Sequence, residues 1–173
     1  MYYLAPETDE DWWEVEALYD LCFAPGREAL SSYRLRDGVD PVAALSLVAR
    51  DVDGILAGAI RYWPVRIVPG QVEAKSHDAL LLGPVAVHPT RQGEGLGGQL
   101  ITDSLAIAAR KGWHRVMLVG DAPYYRRFGF TQLDGIVMPP PTNPDRVLGH
   151  AQERGHWQGV SGDVQRLNGP ARF

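Results

Sequence analysis

Gly93, Gly95, Gly97 and Gly98 fall within six residues of the run VAVHPTRQGEGLGGQLI, which starts at Val85. Glycine lets the main chain come close to a ligand, and a helix start presents free N–H groups carrying a partial positive charge. A glycine run between a strand and a helix is therefore suited to an anion, and a diphosphate is its natural guest. The competing reading is a flexible surface loop, which requires neither flanking element. A second chemically promising stretch is Tyr124-Tyr125-Arg126-Arg127-Phe128-Gly129-Phe130. A phenol, with an ordinary pKa of about 10, stays protonated at neutral pH and can donate to an anion as it forms.

Three phosphate-loop patterns compete for the glycines. A P-loop needs Gly-x-x-x-x-Gly-Lys-Ser/Thr, but Gln99 and Leu100 follow Gly98, so that pattern fails. Gly-x-Gly-x-x-Gly is literally present as Gly93, Gly95 and Gly98, with Asp121 placed as an acidic ribose ligand. Against it, the residues HPTRQ separate strand from glycines, whereas a dinucleotide turn begins directly at the strand end. The third pattern, Arg/Gln-x-x-Gly-x-Gly/Ala, is met by Gln92, Gly95 and Gly97.

The elements that must position these residues are visible as periodicities. Residues 79–88 read as a buried strand, interrupted at Gly83-Pro84, where a missing ladder donor predicts a bulge or splay. Leu96, Leu100, Ile101, Leu105 and Ala108 form the apolar stripe of a helix ending at Gly112. Residues 114–119 are a strand, and Ala122–Phe128 a short helix with Asp121 as N-cap and Gly129 as stop. Upstream, Met1–Leu4 suit a short strand, and Thr8 and Asp11 mark a helix start with Thr8 as cap. The helix carries Trp12, Val15, Leu18, Tyr19 and Cys22, and Ala24-Pro25-Gly26 stops it. Arg27–Arg36 suit a second, shorter helix. Residues 45–50 and 55–62 form a hairpin about Asp51-Val52-Asp53-Gly54. Pro64 should bend or end that strand's pairing, and Pro69-Gly70 marks a turn. Residues 138–144, MPPPTNP, read as a rigid linker, and the tail 145–173 carries no clear pattern. Hairpins first and a strand–helix–strand unit later define a mixed α/β (α+β) fold in a single domain, residues 1–173.

Composition narrows the function classes. The chain has 173 residues, 45% apolar and 22% charged, which are globular values. Its 17 basic against 21 acidic residues give a net charge of −4, which disfavours nucleic acid as the main partner. Cys22 is the single cysteine, so no internal disulfide forms, and it reads as a small buried residue. No metal site is expected. No charge-free apolar run reaches the ~18 residues of a membrane span, and a cytoplasmic location without membrane contact is the expectation.

Gln92-x-x-Gly95-x-Gly97 after a Val-Ala-Val-His-Pro strand end, followed by helix, strand and the Tyr-Tyr-Arg-Arg-Phe-Gly-Phe stretch, resembles the GCN5-related N-acetyltransferase (GNAT) superfamily. The likeness is closest to its small predicted bacterial members, across residues 80–130. It implies a central, mostly antiparallel sheet in which strand 80–88 splays from strand 114–119, with acetyl-CoA in the wedge and flanking helices. It further implies that backbone groups around Val85, Ala86 and Val87 pair with the pantetheine arm, and that the N–H near Val87 polarises the thioester carbonyl. Gln92, Gly93, Glu94, Gly95, Leu96 and Gly97 would cradle the pyrophosphate. Tyr125, four residues before Gly129, stands where the family carries its acid.

Many relatives have Asn near the start of the tyrosine-bearing helix; here the residues are Gly120-Asp121-Ala122-Pro123. The general base is not identified. His77, Asp78 and Glu28 are candidates, and each also reads as an ordinary surface group. His88 reads as structural, and Arg91 as either a phosphate contact or solvated surface.

The expected activity is transfer of acetyl from acetyl-CoA (coenzyme A) to an amine on a small molecule or peptide, by direct attack on the thioester. A homodimer stays open. The rivals are an NAD-type oxidoreductase, a non-catalytic acyl-CoA-binding module, and an interaction module that docks through its tail.

Overall fold

The computed structural model describes residues 1–23 and 26–167. Ala24 and Pro25 of the expected helix stop, and the end of the tail from residue 168, lie outside them. The chain opens with β1 (Tyr3–Pro6), an edge strand, which is where a proline such as Pro6 is tolerated. α1 follows (Trp12–Cys22) and buries Val15, Leu18 and Tyr19. Its N-cap is Asp11 and not Thr8: the Thr8 N–H and hydroxyl both donate to the Asp11 carboxylate, at 2.8 and 2.9 Å. The expected helix over 27–36 is instead two 3-10 turns, Arg27–Ala29 and Ser31–Leu35, separated by Leu30 in an extended conformation.

β2 (Leu47–Arg50) and β3 (Leu56–Val68) form the expected hairpin, with Gly54 at φ +80° in the turn. β3 does not end at Pro64, contrary to the sequence expectation. Tyr62 receives the Val42 N–H on its carbonyl and donates its own N–H to Ser46, both on the edge away from β4. Strand alternation by two puts the Pro64 nitrogen on the same edge. There it falls between the residues paired to β2 and Val65–Val68, which pair with a later strand, so no ladder donor is missing.

β4 (His77–Val87) runs antiparallel to β3, and its register shifts opposite Gly83-Pro84, where the bulge was expected. α2 (Leu96–Arg110) crosses to β5 (Arg115–Val119), which lies parallel to β4. The single-turn α3 (Ala122–Tyr125) is capped by the Asp121 carboxylate, which accepts from the Tyr124 N–H. Gly129, at φ +85°, closes the 3-10 turn that extends it.

β6 (Thr131–Gln132), β7 (Ile136–Val137), β8 (Val147–Ala151) and β9 (Gly162–Arg166) complete a nine-stranded sheet. Its main path is β1-β2-β3-β4-β5-β8-β6, with β9 bridging β3 and β7. All pairings are antiparallel except β4–β5 and β7–β9. The proline stretch is not a free linker. Met138 is buried, and the Thr142 hydroxyl bonds Ser31 at 2.6 Å, fastening the segment to the chain's N-terminal part.

α2 covers one face of the sheet with Leu96, Leu100, Ile101, Leu105 and Ala108 against Leu47, Ile60, Tyr62 and Leu80. α1 covers Val48, Leu56, Ala59 and Ala86. A third cluster joins Leu35, Val65, Ile67, Leu81 and Met117 to Ile136, Val147 and Val164 of the C-terminal strands. β4 is thus held by β3 along its full length and by helices nearby, which frees its other edge for a different use.

Candidate cofactor groove and acyl-transfer site

That other edge is where β4 and β5 part. Their pairing comprises Leu80–Val116 and Leu81–Met117 and does not continue toward Val87 among the described residues. The His88 N–H donates to Ala57 of β3 at 2.8 Å. By alternation the Ala86 backbone also faces β3, and the Val85 and Val87 backbones face the gap. Ala86 therefore differs from its neighbours: its methyl is in the α1 cluster and its peptide in the β3 ladder. The Val87 carbonyl already accepts from Cys22 Sγ and from Gln92 Nε2, each at 3.3 Å.

The glycine loop stands at the open end of this gap. Gly93 (φ +85°) and Gly95 (φ +81°) occupy left-handed backbone, where a side chain is strained. A Cβ at either position would meet nothing within 4 Å, so conformation and open space, not internal crowding, describe these glycines. Gly95 is the N-cap of α2 and its N-terminal turn has no side-chain cap. The N–H groups of Leu96, Gly97 and Gly98 have no partner within the helix and supply its positive end. Leu96 itself is a core side chain, so only its backbone can serve the loop.

Other loop side chains are engaged by the protein. Arg91 donates to Asp51 at 2.6 Å, and that carboxylate also holds the hairpin turn through the N–H groups of Asp53 and Ile55. The Glu94 carboxylate accepts from the Tyr2 hydroxyl, and this hydrogen bond, followed by burial, holds the phenol's pKa above its ordinary value. His88 Nδ1 accepts from the Thr90 N–H at 3.2 Å, capping the turn at Pro89–Arg91, a structural role.

Two openings flank the end of β4. One lies over the loop, lined by Val87, Gln92, Gly95, Gly97, Tyr124 and Arg127. The other is a cavity of about 160 Å³ between the 3-10 turns and the parted strands, lined by Tyr33, Arg36, Pro84, Val85, Leu118 and Tyr125 among others. α3 thus contributes Tyr124 to the first and Tyr125 to the second. The Tyr124 ring meets Tyr125 edge-on at 4.9 Å and lies 4.7 Å from the Arg127 guanidinium. Burial, with a smaller contribution from the Tyr124 phenol, pushes the Tyr125 phenol up to about 12. It is a proton-bearing donor throughout the physiological range.

Sequence reading missed the residue that lets Tyr125 lie where it does. A Cβ on Gly120 would stand 2.6 Å from the Tyr125 ring. The signal was available: a glycine ending a strand one residue before a helix N-cap. Gly120→Ala is expected to push the ring out of place and destabilise the fold by about 1–3 kcal/mol, the range for an overpacked site. Thermal melts check the loss, and an unchanged melting temperature contradicts this close approach.

The candidate bases fare differently. His77 and Asp78 lie within β4, at the end remote from the loop, where Asp78 pairs with Arg66 at 3.1 Å. The sequence places them before the strand; instead they are its first two residues. Burial is the main cause lowering the His77 pKa. Glu28 is exposed. No carboxylate lines the 160 Å³ cavity among the described residues. Cys22 is half-buried, a little more open than expected, and burial raises its thiol pKa, which disfavours the thiolate a nucleophile needs. No cluster of three or more metal-ligating side chains occurs among the described residues. None of their helices is long and apolar enough to cross a membrane.

A strand pair parted over a glycine-led helix start is the layout of a GNAT acetyltransferase domain, and the model of that family matches residues 5–133. The chain belongs to this family. It is 31% identical over 116 residues to the uncharacterized N-acetyltransferase YhbS of Escherichia coli K12, covering 67% of this chain and 65% of that protein. The aligned region thus spans slightly less than two-thirds of that relative. The crystal structure of Escherichia coli YhbS in complex with CoA superposes with a TM-score of 0.78 at 25% identity, covering 99% of this chain and 96% of that one. A GNAT family acetyltransferase from Brucella melitensis, in complex with acetyl-CoA, superposes with a TM-score of 0.70 at 28% identity, with 97% of each chain covered.

Proposed function

We propose that the protein is an acetyl-CoA-dependent N-acetyltransferase, built as one domain over residues 1–173 and working in the cytoplasm on an amine of a small molecule or peptide. The observation that carries this reading is the gap between β4 and β5, which opens onto the positive start of α2. Val85 and Val87 would offer backbone groups to the pantetheine arm, and the N–H groups from Gln92 to Gly97 would hold the pyrophosphate. Ala86, turned to β3, would contribute only by keeping its neighbours in register.

In this reading the acceptor nitrogen attacks the thioester carbonyl carbon. The C–N bond forms, the C–S bond breaks, and charge builds on sulfur. The Val87 N–H would stabilise the carbonyl oxygen and the Tyr125 hydroxyl the sulfur. A phenol at about 12 is a weaker acid than a thiol at about 8.5, so Tyr125 donates a hydrogen bond and keeps its proton. The thiolate is neutralised by the proton that the attacking nitrogen sheds. No covalent acyl-enzyme and no nucleophilic side chain are needed.

The NAD-type alternative is separated by ligand identity. Acetyl-CoA and CoA are expected to raise the melting temperature, since a ligand at 100 times its Kd stabilises by about 2.7 kcal/mol. NAD and NADP at matched concentration should do far less, despite the Gly93, Gly95 and Gly98 spacing. The opposite ranking in a thermal-shift assay would overturn the acetyltransferase reading.

A further inference from the structure

The 160 Å³ cavity beside Tyr125 is lined by two guanidinium groups and, among the described residues, by no carboxylate. The two arginines are not equivalent. Arg27 is matched by Glu16 at 2.6 Å and Asp20 at 3.0 Å. Its neighbour Arg61 is matched by Glu7 at 2.6 Å and by Glu16. Arg36 takes part in no ion pair among the described residues. Its guanidinium carbon instead lies over aromatic rings, 4.0 Å from the Tyr33 ring centroid and 5.5 Å from that of Trp63.

Arg36 lines the cavity, and Trp63 packs behind it; among the described residues the buried Arg36 Nε and Trp63 Nε1 have no hydrogen-bond partner. A buried donor left unmet is costly, and Arg36, whose guanidinium belongs to the cavity lining, can offer Nε to an acceptor there by turning toward it. The charge left over is positive, its donors are N–H groups, and a guanidinium is a planar fork of such donors. That combination selects a planar anion that only accepts hydrogen bonds, which is a carboxylate. The cavity has the volume of about five water molecules, which suits the head of a small molecule.

We propose that the acceptor is a small amine carrying a carboxylate, and that Arg36 is the residue that selects it. This rests on the acetyltransferase reading and adds the substrate class to it. The carboxylate would meet the edge of the Arg36 guanidinium that lines the cavity, with a turn of the group bringing Nε to the same oxygens. Bound this way, the amine end faces the parted strands, where Tyr125 and Val85 line the same cavity.

The test compares acids with their uncharged counterparts. Glycine, β-alanine and 4-aminobutyrate are assayed with acetyl-CoA by thiol release, each beside its primary amide and its decarboxylated amine. The best acid is expected to exceed its amide at least about tenfold in kcat/KM, and Arg36→Met to abolish most of that preference, an effect of about 1.4 kcal/mol or more. Arg36→Lys should restore part of it. CoA affinity, titrated directly, should stay as in the wild type for both variants.

A second measurement needs no turnover. N-acetylglycine added to the CoA complex should shift the NMR signal of Arg36 Nε, assigned through Arg36→Lys, while N-acetylglycinamide should not. Equal response to acid and amide, no response to either at millimolar concentration, or a preference that survives Arg36→Met overturns the proposal. If CoA binds and neutral amines are acetylated as efficiently as the acids, the carboxylate proposal alone falls. If CoA does not bind, the acetyltransferase reading falls with it.

Discussion

Gly95→Glu is expected to weaken CoA binding by more than about a hundredfold while the protein remains folded. Gly95 sits at φ +81° as the N-cap of α2, and a Cβ there would meet nothing within 4 Å. A side chain at this position therefore enters the space assigned to the pyrophosphate and not the protein's own core. The backbone strain costs about 1–2 kcal/mol, which a domain of this size survives. The electrostatic effect is larger. A carboxylate about 5 Å from a phosphate charge, at an effective dielectric constant of about 20, adds roughly 3 kcal/mol of repulsion. Gly95→Ala carries the same strain without the charge and should lose much less affinity. Calorimetric titration with CoA, beside circular dichroism of both variants, separates these contributions. A folded Gly95→Glu protein with wild-type affinity would place the cofactor elsewhere.

Tyr125→Phe is expected to lower kcat by ten- to a thousandfold and to move CoA affinity by less than about threefold. The substitution keeps the ring, and with it the contacts to Tyr124, Phe130 and the Gly120 backbone. It removes a hydroxyl proposed to meet sulfur only as thiolate charge develops, an interaction of the transition state. Because burial holds this phenol at about 12, wild-type turnover should show no loss through its ionisation below about pH 11. The same shift sets a sign for stability. Between about pH 10 and 12 the unfolded chain loses this proton first, so this group's contribution is full below pH 10 and is lost as pH rises through 12. Steady-state kinetics with a working acceptor, in parallel with CoA titration, tests the role. Equal falls in turnover and affinity would make Tyr125 a wall of the groove, and an unchanged kcat with chemistry rate-limiting would remove it from the reaction.

What the sequence made legible was local. Gly93 and Gly95 declare themselves because left-handed backbone has few other occupants, and α2 because its stripe from Leu96 to Ala108 repeats at helical spacing. The Gly83-Pro84 interruption, with a missing donor, marked where β4 changes register. The illegible parts depend on partners distant in sequence. β8 inserts beside β5 through pairs such as Val116–His150, and β9 returns to β3 through Ile67–Val164, so residues after 140 show no pattern of their own. Pro64 looked like a strand breaker because the empty slot it faces is made by two strands that lie far apart in the chain. The place of Arg36 in the cavity lining was invisible for the same reason: an unmatched charge is recognised only once the matched ones, Arg27 and Arg61, are known.

A crystal structure of the protein with CoA measures the central claim most directly, through the distance from Tyr125 Oη to the cofactor sulfur. The account predicts the pantetheine arm between β4 and β5, its amides bonded to Val85 and Val87, the pyrophosphate on the N–H groups from Gln92 to Gly97, and sulfur within about 3.5 Å of Tyr125 Oη. CoA bound outside the gap, or in the gap with its sulfur beyond reach of Tyr125 while Val85 and Val87 stay unpaired, would contradict it.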